Sequence, residues 1–216
     1  MSSSFFDPDN PVFSFIYTVL DMLVLNLLWF LCCIPVVTIG PACAGLYYAT
    51  VKSVRRGRGV AAKEFWKGFR SNIKQAIIME LVFILFMVMM VAGDVVILFF
   101  LGASQLFLWL LLLLKVFVLL GTVCWMCPVI TRFDQRFTKI IELSLYLLVH
   151  HFWSTILLIV FVLIAAACMI VEPLLIALVP SVAALVSSFF VEPALKTISD
   201  TSSQADDSTV DKWYLE

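Results

Sequence analysis

Five polar side chains interrupt the long apolar runs of this sequence, and they are the residues best placed to do chemistry. They are Asp21, Asn26, Glu80, Asp94 and Lys115. An unpaired charge at the centre of a membrane costs at least about 2.5 to 3.5 kcal/mol, so such residues face one another or water. They can form a substrate or proton site, or they can be ion pairs that fix the order of the helices.

We predict that Asp21, Asn26, Asp94 and Lys115 form one polar cluster inside the membrane. Asp94 and Lys115 flank a short turn near Ala103, and their depths differ by only about 4.5 Å at 1.5 Å per helical residue. A lysine can bridge that distance. Asp21 is a rival partner for Lys115, and Asn26 is expected beside them. Glu80 is expected about one turn from the end of its apolar run, which makes it the weakest member.

The composition places these residues in a membrane protein. Apolar residues make up 63% of the 216, the mean hydropathy is +1.08, and only 13% are charged. A soluble domain carries about a quarter charged residues. No catalytic triad, phosphate-cradling glycine loop or helical His-Glu-x-x-His pair occurs, so we expect no enzyme, no cofactor and no metal site.

Long apolar windows predict an all-α fold, a polytopic membrane helical bundle of about five transmembrane helices with additional interfacial amphipathic helices. A short external segment (1–13) precedes a transmembrane domain (14–198), and an acidic tail (199–216) without hydrophobic periodicity is expected to be disordered. The predicted spans are 14–34, 76–101, 105–130, 152–171 and 173–192.

One loop, residues 41–75, contains eight of the fourteen Lys and Arg residues. These are Lys52, Arg55, Arg56, Arg58, Lys63, Lys67, Arg70 and Lys74. Phe65 and Phe69 lie four residues apart among these basic residues, which predicts an amphipathic helix along the membrane surface. Its basic face is expected to bind anionic lipid head groups, whereas nucleic acid is not an expected partner.

The positive charges also predict the orientation of the chain. Lys and Arg near span ends favour the cytoplasm, so the loops at 41–75 and 131–139 are expected inside. The turns near Gly102 and Glu172 contain no Lys or Arg, and the N-terminal segment contains Asp7 and Asp9 but no basic residue. This pattern predicts an external N-terminus and a cytoplasmic C-terminus.

Two cysteine pairs could form a metal site, but we do not favour that interpretation. Cys124 and Cys127 lie on one helical face, at about the depth of Cys32 and Cys33. Four thiolates could hold Zn²⁺. Adjacent cysteines on a helix diverge by about 100°, however, and no His or acid supplements them. They are more consistent with small buried hydrophobic side chains.

A short repeat raises the possibility of internal symmetry. Residues 33–38 (Cys-Ile-Pro-Val-Val-Thr) resemble residues 127–131 (Cys-Pro-Val-Ile-Thr), and each stretch closes an apolar run before a basic segment. A parallel two-helix repeat would place Asp21 and Lys115 at similar depths in helices that run the same way. Chance similarity is the alternative.

Several blocks together point to a family. They are Asn26-Leu27-Leu28-Trp29-Phe30, Pro35-Val36-Val37-Thr38-Ile39-Gly40-Pro41, Tyr47-Tyr48, and Phe65, Gly68, Phe69, Asn72 and Gln75. Over roughly residues 10 to 200 the chain resembles the YesL-like family of bacterial membrane proteins, a family of unknown function. The resemblance implies a multi-pass protein, often encoded beside carbohydrate ABC transporters and polysaccharide-degrading enzymes. It implies no catalytic residues.

The turn at Pro35, Thr38, Gly40 and Pro41 ends one helix and starts another. It is expected to be a structural elbow that presents the basic loop, with a binding turn as the alternative. For the whole chain, our first hypothesis is an accessory or regulatory component in the bacterial plasma membrane, beside a carbohydrate ABC transporter or a sensor. A small transporter or channel subunit using the Asp/Lys cluster is the second, and an ABC permease-like subunit is the third.

Overall fold

The computed structural model describes residues 11–101, 105–133 and 136–202. They form seven α-helices together with a π-helix, Thr50–Arg55, and short 3-10 helices at Val36–Thr38 and Pro173–Ala177. The α-helices are α1 (Pro11–Cys33), α2 (Ile39–Ala49), α3 (Ala61–Leu101), α4 (Gln105–Arg132), α5 (Phe137–His150), α6 (Phe152–Val171) and α7 (Val179–Ser202).

Five of these helices, α1, α3, α4, α6 and α7, are long and apolar enough to cross a membrane. The predicted all-α class and the number of spans are therefore confirmed. The bounds of α6 agree with the prediction, whereas the fifth span begins later, because residues 173–177 form a 3-10 helix. Helix α7 continues through Ser202, into the predicted tail, while 1–10 and 203–216 lie outside the described residues.

The segment predicted as a loop at 41–75 is helical, and this is the main correction to the sequence analysis. Helix α2 and the π-helix run antiparallel to the first half of α3. The Gly40 amide donates to Glu80 Oε2 at 3.0 Å near one end, and Lys52 Nζ lies 2.9 Å from Glu64 Oε2 near the other. Helix α2 also contacts α1, α4 and α7, and nearly all of its residues from Pro41 to Ala49 are buried.

Small residues allow α2 and α3 to approach closely. A Cβ at Gly45 would lie 3.1 Å from the carbonyl oxygen of Phe65, and a Cβ at Gly68 would lie 2.9 Å from the Cβ of Tyr48. Phe65 and Phe69 are buried in the cluster formed around this contact. The expected amphipathic surface helix is thus the beginning of α3, with its apolar face covered by α2 and not by lipid.

Helix α1 runs in the same general direction as α3, because α2 reverses the chain between them. The Thr38 hydroxyl donates to the Cys32 carbonyl at 2.6 Å, and the Trp29 indole N–H donates to Cys43 Sγ at 3.4 Å, which makes α1 and α2 antiparallel. If α1 crosses the bilayer completely, its N-terminal end lies on the same side as the start of α3. The predicted external N-terminus and internal basic segment would then not both hold, and the orientation of the spans stays a prediction.

The proposed internal repeat is not present as a tertiary repeat. Helices α3 and α4 are antiparallel, so α1 and α4 run in opposite directions. Pro35 follows the end of α1, whereas Pro128 lies inside α4. The two segments share only a local contact, in which the Thr38 or Thr131 hydroxyl donates to the carbonyl of the proline three residues earlier.

Labelling of single cysteines in a cysteine-free background tests the arrangement in intact cells. We expect an impermeant thiol reagent to reach cysteines at Gly102 and Glu172 but not at Arg58 or Arg136. The last two belong to the basic segments at 41–75 and 131–139, which are predicted to face the cytoplasm. A cysteine at Asp9 should behave like that at Arg58, because α1 and α3 share a direction. Labelling at Asp9 with protection at Arg58 would contradict the parallel course of two complete spans.

The close contact of α2 with α3 predicts different effects of two glycine substitutions in the same helix. Gly68→Ala should lower the free energy of unfolding by about 1–3 kcal/mol, since the new methyl group overlaps Tyr48. Gly93→Ala is the control, because no atom lies within 4 Å of the added Cβ. It should be neutral or stabilising by up to about 1 kcal/mol. Thermal unfolding of the detergent-solubilised protein measures both, and equal losses would contradict the packing argument.

Candidate functional site

Lys115 and Asp94 form an ion pair between α4 and α3. The Lys115 Nζ lies 2.5 Å from Asp94 Oδ1, and the two side chains are 22% and 24% exposed. The pair borders a small cavity of about 70 Å³, with apolar walls that include Met90 and Leu119. The pairing that the short hairpin predicted is confirmed, and it compensates two charges within the spans.

The rest of the predicted polar cluster does not assemble. Asn26, which is 1% exposed, donates to the Ala177 carbonyl and to Ser181 Oγ, both at 2.9 Å. Its Oδ1 accepts the Ser181 amide at 2.9 Å, so Asn26 caps the N-terminus of α7 from another helix. No hydrogen bond or ion pair joins Asp21 to any described residue. The prediction of one four-residue cluster was wrong.

The turn at residues 35–41 is an elbow, and several of its backbone groups have side-chain hydrogen-bond partners. The Thr38 hydroxyl lies within hydrogen-bond distance of the carbonyl oxygens of Cys32 and Pro35, at 2.6 and 2.8 Å. The Gly40 amide, one of the unpaired donors at the start of α2, donates to Glu80. Pro41 is buried in the first turn of α2. Glu80 is thus a helix cap and not a member of the Asp/Lys pair.

A cavity of about 190 Å³ adjoins this elbow between α2, α3 and α4. Its walls include Glu80, Cys43 and Cys127, but most of its lining is apolar. The cysteines of the described residues are free thiols, and within that part of the chain no three His, Cys, Asp or Glu side chains lie close enough to hold a metal. Burial raises the pKa of Cys43, partly offset by the Trp29 hydrogen bond, so this thiol stays protonated.

The basic segment divides into two parts with different surroundings. Arg58, Lys63, Lys67, Arg70 and Lys74 are exposed. Arg55 and Arg56 instead turn toward α7 and are only partly exposed, which corrects the expectation of one continuous basic face. Two turn glycines with positive φ, Gly57 at 63° and Gly59 at 85°, let the chain reverse between these two parts.

The inward arginines meet two other helices. Arg56 Nη2 lies 3.5 Å from Glu192 Oε2, and Arg132 Nη1 lies 3.4 Å from the same oxygen. The side chain of Arg132 is only 3% exposed. Arg55 Nη1 donates to the Ser188 carbonyl at 2.8 Å and lies 3.2 Å from Ser188 Oγ. We call Arg55, Arg56, Arg132 and Glu192 the arginine cluster.

The sequence analysis did not identify the arginine cluster. The sequence places Arg55 and Arg56 in the basic segment expected to bind lipid head groups, and Arg132 contributes only to the predicted orientation of the chain. Glu192 offered one signal, because it is an ionisable residue at the end of a predicted span, where such residues are functional candidates. Its partners lie 60 and 136 residues away in the sequence, so spacing alone could not reveal them.

A second ionic contact joins the π-helix to α3. Lys52 Nζ lies 2.9 Å from Glu64 Oε2 and donates to the Tyr48 hydroxyl at 3.2 Å. Burial lowers the pKa of Lys52, but its hydrogen bonds to Glu64 and Tyr48 outweigh that effect and raise the pKa above its ordinary value. Lys52 therefore remains charged and holds the turn at 56–60 against α3.

Comparison with known proteins identifies part of the chain. Residues 22–94 match the family described as "Protein of unknown function, DUF624". This match covers about a third of the chain, from the second half of α1 through the elbow, α2 and the π-helix into α3. No curated protein and no solved structure matches the sequence. The chain is thus a helical, membrane-type protein with a DUF624 region, and the description of that family names no activity.

The Lys115–Asp94 pair predicts coupled effects of substitution. Lys115→Met or Asp94→Leu alone should lower the free energy of unfolding by about 2–3 kcal/mol, since either leaves one uncompensated charge in the span. The double variant should recover most of that loss. Lys115→Met combined with Asp21→Leu is the control and should show additive losses. Thermal unfolding in detergent measures the cycle, and additivity for Lys115 and Asp94 would contradict the pairing.

Proposed function

We propose that this protein is an accessory or regulatory component of a bacterial carbohydrate uptake system, a multi-pass protein of the plasma membrane that acts by binding and not by catalysis. The YesL-like resemblance supports the association with carbohydrate uptake, and a carbohydrate ABC transporter or a sensor is the expected protein partner. The DUF624 match names no activity.

The exposed basic side chains of α3 are the observation that carries the proposal. Lys63, Lys67, Arg70 and Lys74 recur at spacings of three and four, which places them on one side of the helix. The opposite side of α3 is fixed to α2 through Gly68, Phe65 and Phe69. The charges are therefore presented by a rigid helix, a suitable surface for anionic lipid head groups or for an acidic face of a membrane partner.

The second candidate function is a small transporter or channel subunit. Its support is the Lys115–Asp94 pair, which borders a cavity of about 70 Å³ inside the spans. A transport path would require more polar groups around that cavity, but Asn26 caps α7 and Glu80 caps α2. The accessory role is therefore the better supported of the two, and no feature of the described helices favours a permease-like subunit.

A pair of matched double variants tests the accessory role. Lys67→Gln with Lys74→Gln removes two charges from α3, while Arg136→Gln with Lys139→Gln removes two exposed charges near the start of α5. Both should insert normally. The α3 variant should weaken association with anionic vesicles by about 2 kcal/mol, roughly thirtyfold, and reduce recovery of a co-purifying transport protein.

The comparison between the two variants decides the outcome. An α3-specific loss of the co-purifying protein supports a docking face for a transport partner. Equal losses for both variants would show that the α3 face contributes only a general electrostatic attraction to head groups. Recovery of no transport component from the wild-type protein in native membranes would contradict the accessory role.

A further inference from the structure

The arginine cluster lies where the π-helix meets α4 and α7. Glu192 shares one carboxylate oxygen between Arg56 and Arg132, at 3.5 and 3.4 Å. These distances exceed the 2.7–2.9 Å that is usual for charge-assisted hydrogen bonds. Glu192 thus brings guanidinium groups from the end of the π-helix and from α4 to one place.

Arg55 brings a further positive charge to this place. Its described contacts are with neutral groups, namely the Ser188 carbonyl and hydroxyl and the ring of Phe189, whose centroid lies 4.6 Å from the guanidinium carbon. An arginine guanidinium keeps its positive charge in a protein. Among the described residues no carboxylate pairs with Arg55, so a partly buried cation here has only dipoles and an aromatic face for partners.

Tyr47 supplies an independent sign of a ligand. Its side chain is buried, at 6% exposure, and its hydroxyl has no hydrogen-bond partner among the described residues. Burial raises the pKa of Tyr47 well above its ordinary value; the nearby Glu192 adds to this, while Arg132 and Arg55 oppose it. The hydroxyl thus stays protonated among the charged groups of the cluster, as a donor with no acceptor.

The backbone at this place also has an uncommon form. Six residues, Thr50–Arg55, adopt a π-helix that follows Tyr47 and ends at Arg55, directly before Arg56. Such segments are rare and occur often at functional sites, because the wider turn redirects the side chains that follow. The buried hydroxyl groups of Thr50 and Ser53, on the same segment, also have no hydrogen-bond partner among the described residues.

We propose that the arginine cluster and the Tyr47 hydroxyl form a binding site for a phosphate-type oxyanion. Guanidinium groups match the geometry of phosphate oxygens through paired N–H donors, and a neutral hydroxyl adds a further donor. Glu192 positions Arg56 and Arg132, and the anion compensates the charge of Arg55. The same chemistry fits a phospholipid head group or a soluble phosphate. The site does not depend on the accessory role, because the exposed lysines of α3 take no part in it.

Thermal unfolding of the purified full-length protein in a neutral detergent tests the site. Inorganic phosphate is compared with chloride at equal ionic strength, and phosphatidylglycerol is compared with phosphatidylcholine in mixed micelles. A ligand that binds only the folded state raises the midpoint as its concentration increases. Stabilisation by phosphatidylglycerol alone assigns a lipid head group, and stabilisation by inorganic phosphate assigns a soluble anion.

Three variants make the result specific. Arg55→Gln should weaken the apparent affinity at least tenfold, and Tyr47→Phe, which removes only the hydroxyl, should weaken it severalfold. Lys139→Gln, which removes an exposed charge outside both the arginine cluster and the α3 face, is the control and should leave it unchanged. If Arg55→Gln fails to fold, the apparent affinity of Tyr47→Phe still tests whether the site binds the anion. Absence of stabilisation by both probes, or the same response from wild type, Tyr47→Phe and Lys139→Gln, would overturn the proposal.

Discussion

The burial of α2 between α1, α3, α4 and α7 is the constraint on which the rest of this structure depends. A helix enclosed in an apolar bundle must satisfy the backbone groups at its ends within the protein, since lipid offers no hydrogen bonds. Glu80 accepts the Gly40 amide at the start of α2, and the π-helix continues the chain at its other end. Asn26 does the same for α7. Side chains from neighbouring helices thus serve as caps, and this ties the helix ends together.

Three groups of charged residues among the described helices have different environments. Lys115 and Asp94 compensate each other within the spans. The arginine cluster lies at the basic end, where Glu192 on α7 meets side chains from the π-helix region and from α4. The lysines of α3 remain exposed because the opposite side of that helix is occupied by α2. A basic segment that looks uniform in sequence is therefore divided between an interior and an exterior role.

The part of the chain that matches DUF624, residues 22–94, lies within the unit formed by α1, α2 and α3. It contains Asn26, the elbow, Tyr47, Arg55 and Arg56. Two members of the arginine cluster, Arg132 and Glu192, lie beyond it. The unit thus supplies half of the cluster, while α4 and α7 complete it. This arrangement is more typical of a site assembled by folding than of a linear binding motif.

By itself the sequence determined the features that depend on local composition. Five apolar helices, the bounds of α6 and the pairing of Lys115 with Asp94 follow from hydrophobic length and from a hairpin too short to separate its helices. The tertiary structure decided the rest. Asn26 and Ser181 are 155 residues apart, and Arg56 and Glu192 are 136 apart. Such contacts depend on which faces of distant helices pack together. The reversal of the chain at 39–55 could not be predicted from the sequence either. Gly45 and Gly68 allow α2 and α3 to pack closely, and this role is visible only when the two helices are placed side by side.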